Sequence, residues 1–270
     1  MTSSPTLVCV HAHPDDESLF TAGITAHYAA RGIRVVLVTC TYGQLGIDGA
    51  GRPGSHPDHD ALGTRATRAA ELQRVADFIG YSRVVTLGYD DSGLPGWAQN
   101  ARASAFMNAD PEMVGRTLAA LFDEVGATVV VTYDEHGFYG HPDHVAANAA
   151  TQLAVKLSSG VERLYYPVAP TRVLERFIPL ARERGVYTPV WVTRGVGVDD
   201  GAITTTMDVA QYAGLKQRAI ATHASQVDNA DLVTMDEELF SLLFGVEYYQ
   251  RAWSRSPATG DEHDLFGGLA

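Results

Sequence analysis

The chain has 270 residues, 32 acidic and 20 basic, giving a formal charge of −12, with 46% hydrophobic and 19% charged residues. This balance excludes disordered, collagen-like and disulfide-scaffold proteins, and it argues against a general binder of phosphate backbones, which needs the opposite charge. At about 150 residues per domain the length allows one or two units. The preferred division is a single α/β domain over 1–253, with a core at 6–170 and a C-terminal elaboration at 171–253, followed by a flexible tail at 254–270.

Cys9 and Cys40 stand in apolar, strand-like stretches without a Cys-x-x-Cys spacing, which reads as a pair of buried free thiols. Neither a signal sequence nor a membrane-spanning run is recognisable. A cytoplasmic protein without nucleic-acid or membrane partners is the default expectation.

Thr6 to His13 (TLVCVHAH) reads as a first strand, and Asp16 to Gly32 as a helix ended by glycine. Arg34 to Thr41 (RVVLVTCT) is a second strand, followed by a glycine-rich loop to about Gly63 and a helix carrying Arg65, Arg68, Leu72, Val75 and Ile79. Ser82 to Gly88 is a third strand leading into the turn Asp90-Asp91-Ser92-Gly93. A helix from Pro111 to Gly126 precedes a fourth strand, Ala127 to Tyr133; a helix from about Asp143 to Ser158 precedes a fifth, Glu162 to Pro167. A short strand at Val190 to Thr193 and helices at Val209 to Gln226 and Glu237 to Trp253 complete the reading. Alternating apolar strands and helices predict a Rossmann-like, mostly parallel sheet covered on both faces. Such sheets bind ligands at the carboxyl ends of their strands.

Several motifs carry little. Gly49-Ala50-Gly51-Arg52-Pro53-Gly54 matches a dinucleotide fingerprint in letters but does not join a strand to an immediate helix. No Walker A motif or Gly-x-Ser-x-Gly elbow occurs. Ser92, after two aspartates, reads as a turn or cap residue rather than a nucleophile.

Two turns carry more. At the end of strand one, His13 and Asp16 are three residues apart, with Asp15 between them and Pro14 restricting the backbone. At the end of strand four the chain runs from Tyr133 through Tyr139 to His141-Pro142-Asp143-His144 and again enters a helix. Two His/Asp-rich turns at one sheet edge suit a metal ion held by two imidazoles and a carboxylate with a position left for water. A second His-Pro-Asp-His, at His56 to His59, lies far down a glycine-rich loop and reads as lid or substrate-loop material. His11, on the same strand face as His13, reads as a packed or outer histidine rather than a fourth ligand.

A zinc ion so held lowers the pKa of its water toward roughly 7. Asp15 is then placed to take the proton, and His141 and the Tyr139 hydroxyl to meet the developing oxyanion. Asp143 is expected to hold the His141 ring and favour its imidazolium. The reaction class is amide hydrolysis, with a non-catalytic sugar- or nucleotide-binding protein as the reading from another class.

His-Ala-His-Pro-Asp-Asp-Glu at 11–17, together with Gly-His-Pro-Asp-His at 140–144, resembles the PIG-L (LmbE-like) family of zinc-dependent N-deacetylases. Further likeness, at Thr39-Cys40-Thr41, Asp91-Ser92-Gly93, Val131-Thr132-Tyr133-Asp134 and Lys216 to Gln226, points to its mycothiol-pathway branch. The resemblance implies His13, Asp16 and His144 as ligands of one Zn2+ (Fe2+ being the alternative), Asp15 as general base, and His141 and Tyr139 as stabilising groups. It also implies Arg68 and Asp91 as partners of sugar hydroxyls. The implied substrate is an N-acetylglucosamine-type glycoside, with mycothiol S-conjugates as the alternative. Gln44, Leu45 and Ile47 replace acidic residues expected in the loop after strand two, which keeps open an aglycone other than inositol.

Overall fold

The computed structural model describes residues 5–186, 195–256 and 262–269; the strand expected at Val190 to Thr193 lies outside them. The strands are β1 (Thr6–His11), β2 (Arg34–Thr41), β3 (Arg83–Tyr89), β4 (Ala127–Val131), β5 (Arg163–Pro170), β6 (Gly197–Val198), β7 (Thr205–Asp208) and β8 (Val246–Ser254). The helices are α1 (Asp16–Phe20), α2 (Ala22–Ala29), α3 (Ala61–Ile79), α4 (Pro111–Val125), α5 (Gly137–Gly140), α6 (Pro142–Leu157), α7 (Thr171–Glu183), α8 (Ala213–Thr222), α9 (Ala230–Thr234) and α10 (Glu237–Phe244).

The sheet runs in the order β3-β2-β1-β4-β5-β8-β7, with β6 beside the end of β5. The first five strands are parallel; β8 is antiparallel to both β5 and β7. Every residue of β1 is buried, so successive side chains enter two separate cores. Val8, Val10, Val36, Val38 and Val130 pack with Leu118 and Phe122 of α4 and Ala147 and Ala154 of α6. Leu7, Cys9, Leu37, Val129 and Val131 pack on the opposite face with Ile24 and Tyr28 of α2 and Leu72 of α3. This is the expected α/β sheet covered on both sides. Both cysteines are free and buried, and burial pushes the Cys9 thiol up to about 12.

From β1 the chain steps outward to β2 and β3, then returns to the other side of β1 for β4 and β5. Direction reverses between β1 and β4, so their adjacent carboxyl ends form the crevice in which such sheets bind ligands.

Three expectations change. The helix Asp16–Gly32 is broken at Thr21, whose hydroxyl bonds the His11 ring at 2.8 Å while α2 restarts on Glu247 of β8. The Glu247 carboxylate accepts from the Gly23 and Ile24 N–H groups, both at 2.9 Å. The helix Glu237–Trp253 ends at Phe244; Val246–Ser254 is strand β8, because its aromatic and β-branched residues pair with β5 and β7. The stretch from Ser254, read as a loose tail, is fixed where it is described. Leu265 is buried and its N–H bonds the Tyr28 hydroxyl at 2.8 Å, while Glu262 exchanges main-chain bonds with Thr204 and Thr206 beside β7.

Lys216 meets Glu247 at 2.7 Å with both residues buried. Removing one partner of such a pair leaves the other charge uncompensated, at about 3–5 kcal/mol. Glu247→Ala is expected to lower unfolding stability by that amount, and Glu247→Gln with Lys216→Met to recover most of it in denaturant titrations.

Candidate metal centre and active-site cavity

As the chain leaves β1, Thr41 of β2 holds the Ala12 carbonyl through both its N–H and its hydroxyl, each at 2.9 Å. The following turn places Asp16 between two imidazoles. Its Oδ2 accepts from the His13 N–H at 2.8 Å and the Tyr133 hydroxyl at 2.7 Å, and stands 3.3 Å from His13 Nδ1. Its Oδ1 is 3.4 Å from His144 Nε2. Burial opposes ionisation of this carboxyl, but His144 and the bonds to it hold it well below the usual carboxylate range.

The fourth turn sets the histidine tautomers. His144 Nδ1 faces the Gly137 carbonyl at 3.2 Å and must donate to it, which leaves a lone pair on Nε2. That Nε2 is buried and has no hydrogen-bond partner among the described residues. The ring is fixed by stacking on Tyr133, centroids 3.9 Å apart at 10°. Gly137 has φ +67°, and a Cβ there would lie 2.9 Å from that of His144, so this turn requires glycine. His13 Nε2 faces Asp143 at 3.1 Å and Asp91 at 3.6 Å and donates toward them, leaving Nδ1 directed at Asp16. Two imidazole lone pairs therefore converge on one buried carboxylate, an arrangement that requires a proton or a cation between them. The N,N,O donor set fits a divalent cation of the zinc type.

Ligand atoms of His13, His141 and His144 lie within 4.8 Å of one another, as do those of His13, Asp91, His141 and Asp143. Neither group includes Asp16, which instead offers separate oxygens to His13 and His144. His141 is set up differently from the other two histidines. Its Nδ1 accepts the Asp143 N–H at 3.2 Å as the cap of α6, so its neutral ring carries the proton on Nε2 and presents a donor. Burial, with His13 and His144 nearby, pushes its pKa well down. The expectation that Asp143 favours a His141 imidazolium is thus corrected. The Asp143 carboxylate takes both the N–H (2.9 Å) and the hydroxyl of Ser92 and orients His13, while its hydrogen bond to His141 is made by its main-chain N–H.

Asp15 has φ 123°, a left-handed conformation costing about 1–3 kcal/mol in a residue other than glycine. Burial pushes its carboxyl up to about 6 against the pull of Arg68, whose Nη2 meets Oδ1 at 2.8 Å. Arg68 is buried and its Nη atoms also donate to the Pro14 and Gly43 carbonyls, so its fork holds the turn, while its Nε–H has no hydrogen-bond partner among the described residues and the residue lines the cavity. Asp91 accepts from the Gly93 N–H at 2.8 Å and the Leu45 N–H at 3.2 Å while lining the cavity, and so keeps some acceptor capacity. Tyr139 stands over His144 at 5.1 Å between ring centroids, and burial with Asp16 and Asp15 nearby raises its pKa, keeping the phenol a donor.

These groups open into a cavity of about 620 Å³. Leu45, Ile47, Leu94 and Trp97 form part of its wall, and Val168, Val173 and Phe244 another. His59 is bound to the Gln44 and Arg52 carbonyls at 2.8 and 3.2 Å, and neither it nor His56 belongs to a metal-capable group among the described residues. His11 lies behind the site against Thr21 and Tyr133, and burial lowers its pKa to about 4. Tyr133, whose hydroxyl donates to Asp16 at 2.7 Å, is a residue of the candidate site that sequence reasoning missed. Its position at the end of an apolar strand resembled core, although the hydroxyl of a buried tyrosine needs a partner.

The family model described as GlcNAc-PI de-N-acetylase, PIG-L, matches residues 8–155. The chain belongs to the PIG-L family. It is 38% identical over 290 residues to the 1D-myo-inositol 2-acetamido-2-deoxy-alpha-D-glucopyranoside deacetylase of Actinosynnema mirum, covering 100% of this chain and 99% of that relative. With the protein of the same description from Saccharomonospora viridis, identity is 35%, covering 97% and 100%. Among solved structures, N,N'-diacetylchitobiose deacetylase of Pyrococcus horikoshii superposes with a TM-score of 0.59 at 16% identity, covering 92% of this chain and 84% of that one. The 4-carboxy-2-hydroxymuconate hydratase of Pseudomonas putida does so with a TM-score of 0.57 at 16% identity, covering 94% and 99%. Likeness at that level shows the fold alone, and the fold carries more than one chemistry.

Tyr133→Phe keeps the stack on His144 and removes the hydroxyl that fixes Asp16. Metal affinity, measured by competition with a chromophoric chelator, is expected to fall about 10–100-fold with the fold intact.

Proposed function

We propose that this PIG-L member is a metal-dependent N-deacetylase that cleaves the acetamide of an N-acetylglucosamine-type glycoside, giving acetate and a free amine. N-acetylglucosaminyl-inositol is the leading substrate, supported by the full-length likeness to relatives described as acting on that compound. The observation that carries the reading is the convergence of His13, Asp16 and the unpartnered His144 Nε2 beside Asp15.

In this reading His13, Asp16 and His144 hold the cation, zinc by its donor set, and His141 remains a proton-bearing neighbour. When bound, such an ion supplies Lewis-acid activation of water and carbonyl. Asp15 removes the proton from the attacking water; its carboxyl, raised to about 6, ionises near neutral pH yet is basic enough to accept it. As charge gathers on the former carbonyl oxygen, the Tyr139 hydroxyl and the His141 Nε2–H donate to it. Collapse breaks the C–N bond, and the proton held by Asp15 returns to the leaving amine.

One observation favours a second aglycone. Leu45 and Ile47, from the loop after β2, line the cavity together with Leu94 and Trp97, a lining suited to an apolar face rather than to a ring of hydroxyls. Acetate release from the inositol glycoside, other N-acetylglucosaminides and thiol-conjugated mycothiol analogues, measured side by side, separates these substrates. Asp15→Asn is expected to lose at least 10²–10⁴-fold in kcat with metal retained, and His13→Ala to lose both metal and turnover. Chelation should abolish activity and added Zn2+ should restore it. A folded, metal-free protein whose turnover is unaffected by chelators overturns the reading.

A further inference from the structure

Asp15 is held from two sides. Arg68 grips its carboxylate, while its main-chain N–H donates to Glu17 Oε2 at 2.9 Å. Glu17 is fully buried, and its other oxygen, Oε1, accepts from the Ser18 hydroxyl at 2.5 Å and from His223 Nε2 at 2.7 Å. His223 is itself buried and lies 206 positions away in sequence, immediately after α8, a helix that packs against α1, α2, α3 and α10. Its Nδ1 has no partner among the described residues, so Nε2 is the nitrogen that carries the proton toward Glu17. A chain of two hydrogen bonds therefore runs from the C-terminal half of the molecule to the one peptide N–H whose orientation sets the left-handed conformation of Asp15.

We propose that His223 is a positioning residue: acting through Glu17, it fixes the Asp15 backbone and thereby the direction in which the Asp15 carboxylate enters the cavity. The inference rests on Asp15 being the base in the reaction proposed above. A histidine that merely filled the space beneath α1 would be replaceable by any side chain of similar volume. A positioning histidine is replaceable only by another donor.

The test uses the full-length, metal-loaded protein, acetate release from the N-acetylated glycoside, and metal stoichiometry. His223→Leu, which fills the site without a donor, is expected to lower kcat about 10–100-fold while KM and metal content stay within twofold of wild type. His223→Gln, whose amide N–H can reach Glu17, is expected to recover most of the kcat. If His223→Leu does not fold, Ser18→Ala, which deletes the other donor to the same oxygen, is expected to depress kcat selectively in the same way. A metal-loaded His223→Leu with wild-type kcat, or Leu and Gln variants that lose kcat equally, overturns the inference. Undiminished turnover in Asp15→Asn overturns the base assignment instead, and with it this dependent role.

Discussion

A buried carboxylate with an imidazole on each side is the constraint around which the molecule is arranged. Asp16 sits in a place where a lone charge could not persist, and its carboxylate is sustained by the Tyr133 hydroxyl, the His13 N–H and a proton or cation shared with the His13 and His144 rings. No short stretch of chain could supply those partners. They meet because β1 and β4 are parallel neighbours whose turns open at the same edge. Two fully packed core layers, one on each face, prevent these strands from slipping by a residue, which would turn His13 to the wrong side.

The parts of this plan that depend on local pattern were legible in the sequence. Fully apolar strands can be buried only on both faces, so β1, β2 and β4 and the parallel sheet followed directly, and two turns loaded with His and Asp at strand ends pointed to the candidate metal centre. The parts that depend on distant partners were not legible. Val246–Ser254 has apolar spacing that a helix could also use, and only β5 and β7 beside it make it a strand. Nothing in the segment around Arg68 revealed the Pro14 and Gly43 carbonyls to which its guanidinium donates. Asp143 was read with its sequence neighbour His141, whereas its carboxylate points across the site to His13 and Ser92.

The C-terminal half does more than cover the sheet. Glu247 of β8 sits at the start of α2 and interrupts what would otherwise be a longer helix, and β5, α7 and α10 line one side of the cavity. The sheet and its two turns position the candidate site, while these later segments line the cavity into which it opens. Differences in substrate among relatives are therefore expected to concentrate in the loop after β2 and in the segments following β5.

The paired main-chain bonds between Glu262 and the residues flanking Thr205 occupy one border of the sheet. β7 is the last strand on that side, and an uncovered terminal strand is a template on which another chain can add. The returning segment occupies those donors and acceptors within the same molecule. It acts as a guard against edge-to-edge aggregation at that border.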